Sequence, residues 1–178
     1  ASGATFTTAS STFTFTATTT NKAIISSVGI SFYNLTFNGS GGGWSLTSTA
    51  TTSVTNAFSM SAGTLSGTGD VNISTGNVTG AGTIAMTGGT FLVTGTGSIG
   101  GASSWTFNNL TLGSGGTNTT SKTGVGTTTI AGVLTVSGGQ TLNASSTNWV
   151  LTGGGIPFVV NGTFNVQTAP FFFTSNAS

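Results

Sequence analysis

Arginine, glutamate, histidine and cysteine are absent from this chain of 178 residues, and charge of either sign is nearly so. Lys22, Lys122 and Asp70 carry the only formal side-chain charges at neutral pH. Soluble domains are roughly a quarter charged, against 2% here. Each missing type removes a chemistry. Without His or Cys there is no Ser-His-Asp or Cys-His nucleophile and no transition-metal cluster. With one carboxylate there is no acid pair for glycoside hydrolysis. A Ser–Lys pair could be sought at Ser121–Lys122 or between Lys22 and Ser26 or Ser27. However, neighbours on a strand point to opposite faces, and both lysines are expected to be solvated. Calcium could draw on Asp70, Asn72 and carbonyls, but a single carboxylate makes a weak site. Asp70 is read instead as ending a corner before a strand at Val71. No catalytic residue, metal or cofactor is assigned, and the chain is not expected to be an enzyme.

The other absences bear on partners. A net charge of +1 supplies no basic footprint for nucleic acid and no polybasic patch for anionic lipid. The apolar runs Ile156–Val160 and Phe171–Phe173 fall far short of the roughly 20 residues of a membrane helix, so membrane insertion is not expected. Lack of cysteine excludes disulfides and leaves the redox compartment open. A start at Ala1 without Met fits a cleaved precursor or one unit of a longer array.

What is present is forty Thr, thirty Gly, twenty-four Ser and thirteen Phe. Disordered chains are poor in aromatic and β-branched residues and rich in charge, the reverse of this composition. Gly, Thr, Ser and Asn are poor helix formers, and no segment holds a helical apolar stripe. Apolar residues alternate instead, as in Phe13 and Phe15, Val71 and Ile73, Trp105 and Phe107, Trp149 and Leu151, and Phe164 and Val166. Short strands between Gly-rich corners follow.

Two internal repeats order these strands. Thirteen-residue units from Phe58, Val71 and Ile84 carry apolar residues at offsets 0, 2 and 7, with Gly at offsets 5 and 11. The offset-5 glycines are Gly63, Gly76 and Gly89; the offset-11 glycines are Gly69, Gly82 and Gly95. A longer repeat relates FYNLTFNGSGG at Phe32 to FNNLTLGSGG at Phe107, with Leu35 and Leu110 75 positions apart. It divides one all-β domain, 1–178, into related halves at about 31–94 and 106–167. Such repeats cannot bury an apolar face singly, but stacked they share a core. The expected fold is a β-solenoid of short strands. A β-sandwich with a donated strand, residues 1–18, fits the same alternation. Gly95–Gly100 matches G-x-G-x-x-G but lacks the helix and downstream acid of a dinucleotide site, and is read as a corner.

The phrases FYNLTF, FNNLTL, GVLTVSGGQTLNAS and NGTFNV resemble the Gly/Thr/Ser-rich β-solenoid-like repeats of secreted microbial surface proteins, such as adhesin stalks and extracellular filament subunits. That resemblance implies an extracellular structural or adhesive role and fixes no functional residue.

From these features the expected function is a structural subunit that polymerises end to end with copies of itself, secreted or at the cell surface. The C-terminal end, Pro170, Phe171, Phe172 and Phe173, is expected to meet the N-terminal end, Phe6, Phe13 and Phe15. An uncharged surface gives copies no mutual repulsion. The alternatives are an adhesin stalk or glycan-binding module with Trp44 as a surface aromatic, or a Thr-face ice binder using Thr12–Thr18 and Thr47–Thr51. Nine sequons, at Asn34, Asn38, Asn72, Asn77, Asn109, Asn118, Asn143, Asn161 and Asn176, are glycosylation candidates. With 14 Asn and 64 of 178 residues Ser or Thr, chance alone supplies roughly five. Stability is expected to be nearly flat from about pH 4 to 9, because so little titrates.

Overall fold

A computed structural model describes residues 9–25, 30–47 and 49–174. Within them the chain is all-β, with no helix. It opens with β1 (Thr12–Phe15) and β2 (Lys22–Ile24), then two long strands, β3 (Ile30–Leu46) and β4 (Thr52–Gly67). Short strands follow as β5 (Val71–Ile73), β6 (Asn77–Gly80), β7 (Thr83–Met86), β8 (Thr90–Val93), β9 (Gly97–Gly101) and β10 (Trp105–Phe107). The last are β11 (Asn109–Leu112), β12 (Asn118–Lys122), β13 (Thr128–Ile130), β14 (Leu134–Val136), β15 (Gln140–Asn143), β16 (Trp149–Leu151), β17 (Phe158–Val160), β18 (Thr163–Asn165) and β19 (Phe171–Phe173).

Every recorded pairing is parallel, and from β5 onward each strand pairs with the one three places further on. That pattern is a three-sided coil. The long strands obey it too, because β3 and β4 pair with register shifts after Phe32, Phe37 and Asn38, where the chain rounds a corner. Seven three-sided tiers are complete, preceded by a partial tier made of β1 and β2. The solenoid reading holds, and Thr12–Phe15 pairs in parallel with β3.

The core is a bundle of columns running along the coil. On the first face Val71, Phe91, Leu110, Leu134 and Phe158 stack in register. On the second Phe13, Leu35, Phe58, Val78, Ile99 and Lys122 do so. The third holds Lys22, Trp44, Leu65 and Ile84, then Trp105, Thr128, Trp149 and Phe171. Most of these side chains are fully buried. No tier buries its own inward residues, so stacking supplies the hydrophobic stabilisation.

Both repeats take their meaning from this geometry. Successive thirteen-residue units start at Phe58 on the second face, Val71 on the first and Ile84 on the third. Thirteen residues therefore span two sides, and three sides need about half as many again. The observed steps in this stretch agree: Thr52 pairs with Val71 (71 − 52 = 19) and Ala57 with Asn77 (77 − 57 = 20). Later tiers lengthen, as Leu110 to Leu134 shows (134 − 110 = 24). Gly63, Gly76 and Gly89 sit at corners with φ of 85°, 83° and 67°, a region other residues enter at a cost. The 75-residue repeat does not superpose faces. Leu35 lies on the second face and Leu110 on the first, so the halves share a strand-and-corner plan without being equivalent units.

Candidate functional site

The features of note are outward polar ladders, a few buried polar residues and the two ends. The ladders arise because Asn, Ser and Thr recur in or beside one outward column on the second face. Asn34 Nδ2 donates to Thr12 Oγ1 at 3.1 Å, and Asn56 Nδ2 donates to Asn34 Oδ1 at 2.7 Å. At the far end Asn143 Nδ2 donates to Ser121 Oγ at 3.3 Å, and Asn165 Nδ2 to Asn143 Oδ1 at 2.9 Å. In each bond the later tier donates to the earlier one. Repeated amide contacts of this kind reinforce stacked strands.

The sequons divide accordingly. Asn34 and Asn143 have their amide nitrogens committed to ladders. Asn77, Asn109 and Asn118 accept bonds from Ser98, Val133 and Thr96. Asn72 Oδ1 is buried with no partner. Asn38 and Asn161 are exposed and carry no side-chain hydrogen bond among the described residues. Asn176 lies outside the described residues, as does Phe6.

Two sequence expectations need correction. Trp44 was expected at the surface, after Gly41–Gly43, but the strand resumes at Gly43 and turns the indole inward between Lys22 and Leu65. At 2% exposure it offers no platform to a sugar. Lys122 was expected in solvent, yet it is 3% exposed and occupies an inward column beside Ile99. Its Nζ donates to the carbonyls of Thr123 at 2.8 Å and Gly126 at 3.1 Å, tying down the corner between β12 and β13. Of the Thr-rich stretches, Thr12–Phe15 forms β1, where Thr14 is exposed and begins an outward column. The column from Thr14 continues through Thr36, Ser59 and Thr79 to Gly100, mixing sizes. Lys22 is exposed, as expected. Asp70 does precede β5, and its Oδ1 accepts from the Thr90 amide at 2.7 Å. Gly95–Gly100 forms a corner and the start of β9.

Lys122 is one of several buried polar residues that sequence reasoning missed. Thr120, Thr128 and Gln140 are also buried, and Gln140 Nε2 donates to Thr120 Oγ1 at 2.9 Å. Desolvation lowers the Lys122 pKa below its ordinary 10.5. The unfolded chain then binds this proton more tightly than the folded one, so the burial penalty is fully present at neutral pH. It is relieved as pH rises from the lowered pKa to about 10.5. Stability should therefore climb across that alkaline window, and Lys122→Met should remove the climb. Urea midpoints measured from pH 7 to 10.5 check this; parallel profiles for the two proteins would contradict it.

The candidate ends sit at opposite poles of the coil. Phe13 and Phe15 are half-buried in the partial tier, and Phe15 stacks on Phe37 at 5.1 Å. In the last tier Phe158, Phe164 and Phe171 form a half-buried aromatic cluster with centroid separations of 5.0 to 5.9 Å. Phe172 is 45% exposed, Phe173 58%, Val160 42% and Val166 44%. Pro170 is exposed beside them. Among the described residues, strands β17, β18 and β19 each pair on one side only, with β14, β15 and β16. Among the described residues no group of three or more His, Cys, Asp or Glu gathers. Comparison with protein-family models, curated proteins and solved structures finds no match.

Proposed function

We propose that the chain is a non-catalytic structural subunit of an extracellular microbial filament or surface fibre, built by end-to-end stacking of copies. The observation that carries this reading is the last tier. Its three strands keep one edge of backbone N–H and C=O groups unpaired among the described residues, beside four apolar side chains that are 42–58% exposed. Open parallel edges of this kind template further strands. Soluble chains that stay monomeric blunt such edges with charge, and the last tier has none. Joining one pole to the other is heterologous and does not close, so it generates open filaments rather than rings. The extracellular setting rests on the resemblance of the repeats. Any glycan would be carried most readily at Asn38 or Asn161, whose side chains are exposed and unbonded.

Phe172→Asp with Phe173→Asp tests the proposal. A paired carboxylate at an otherwise uncharged end should abolish polymers in sedimentation and electron microscopy, while the circular dichroism of the dissolved chain stays unchanged. Polymers that persist at wild-type levels in the double variant would place assembly elsewhere.

A further inference from the structure

Resting on that end-to-end reading, we propose a specific joint, on the third face. There β2 of an incoming copy lies parallel against β19, with Lys22 opposite Phe171, Ala23 opposite Phe172 and Ile24 opposite Phe173. The occupant is a second copy of this chain, and three features of the structure select it.

The first is column continuity. The inward column that ends at Phe171 begins at Lys22, and the one that ends at Phe173 begins at Ile24. Coaxial stacking therefore extends each column on the face it already uses, with apolar Ile24 following Phe173 and Lys22 following Phe171. The second is sense. Every recorded strand pair is parallel, and a head-to-tail copy presents β2 in the same direction as β19. The third is complementary exposure. Phe172 and Phe173 protrude at one pole, and Ile25, 74% exposed, lies beside β2 at the other. Among the described residues, strand β2 is paired with β3 alone.

Lys22 is the one charge at this joint. Laid over the Phe171 ring, with Trp44 behind it in the same column, its ammonium meets aromatic faces, a favourable cation–π arrangement. Lys122 shows how this coil keeps an inward lysine, by turning Nζ to corner carbonyls. With the nearest equivalent lysine a whole copy away, the joint has no like-charge neighbour.

Absence of native cysteine makes disulfide mapping clean. In the proposed register Ile25 faces Thr174, both exposed. Adjacent strands stand about 4.8 Å apart, within disulfide reach, whereas a two-residue slip opens the Cα separation to about 8 Å, outside it. Polymers of Ile25→Cys/Thr174→Cys, oxidised and run without reductant, should show about tenfold more covalent multimer than Ala23→Cys/Thr174→Cys, the slipped pair. The in-register pair Ala23→Cys/Phe172→Cys is a second version should the first fold poorly. Polymers that link only through the slipped pair, or through neither in-register pair, overturn this joint and leave stacking standing. Loss of polymers in the wild-type chain as well would overturn the assembly reading itself.

Discussion

Gly153→Ala is expected to destabilise the fold severely, while Gly154→Ala one residue later is expected to be nearly silent. Neither position is a positive-φ glycine, so backbone preference does not separate them. Space does. Gly153 is buried where the chain leaves β16, and a Cβ there would overlap the carbonyl oxygen and carbon of Gly132 in the tier before. That neighbour is backbone, held by a hydrogen bond from the Gly132 amide to Asn108 O at 2.7 Å, and cannot swing aside as a side chain would. Relief requires the tiers to part locally, which also strains the 2.8 Å bond from the Thr152 amide to Ile130 O. A loss of roughly 2–4 kcal/mol is expected, in the range of severe overpacking. Gly154 has nothing within 4 Å of a Cβ and is exposed. There alanine should change stability by less than about 0.5 kcal/mol, or raise it slightly by restricting the unfolded chain. Urea unfolding of the two variants decides the matter, and equal midpoints would refute the tight stacking of corners.

Trp105→Ala should cost about 3–5 kcal/mol, at the top of the range for single substitutions. The indole is 1% exposed at the middle of the third-face column. Its Nε1 donates to Gly82 O at 2.8 Å, and its ring backs onto Gly101 and meets Phe107 edge-on at 6.3 Å. Truncation opens a cavity between tiers and leaves a buried carbonyl without its donor. Because each tier touches only its neighbours, damage at the centre should also split the transition. Denaturation followed by Trp fluorescence should show Trp44 and Trp149 reporting different midpoints in this variant and a common one in the parent. Val125→Ala, at a side chain 79% exposed, is the matched control and should leave stability within about 0.5 kcal/mol. A Trp105→Ala midpoint as close to the parent as this control would contradict the column.

Much of the fold was legible because alternation and glycine placement follow from local rules. Inward residues must repeat every second position on a strand, and a corner needing φ > 0 selects glycine. Phe58, Val71 and Ile84 thus mark strand starts whatever side they occupy. The side itself was not legible. A period of thirteen counts two sides and the 75-residue likeness joins Leu35 to Leu110 on different faces, since only pairing between tiers defines a full coil. Trp44 was misplaced because a run of three glycines reads as a loop. Here those glycines let the chain turn a corner against the backbone of Ala17 and Thr20 before the strand resumes. Lys122 was misplaced because burial of a lysine depends on carbonyls at Thr123 and Gly126 whose approach no spacing announces. Of the end residues, the exposed phenylalanines at 172 and 173 could be proposed from an apolar run. The register that would join them to Lys22–Ile24 needed the columns.

Mass per unit length of the assembled material tests end-to-end stacking most directly. One copy contributes eight levels on its second and third faces. At about 4.8 Å per level, that is about 38 Å of axis. For a chain of 17.4 kDa, a single coaxial file should therefore weigh about 0.45 kDa per Å in dark-field electron microscopy, given that strand spacing. Oriented fibres should show the strand spacing along the fibre axis. A file of that mass with an axial strand reflection is the expected result. Particles of fixed length and single-chain mass at every concentration, or fibres with strands running along the axis, would contradict it.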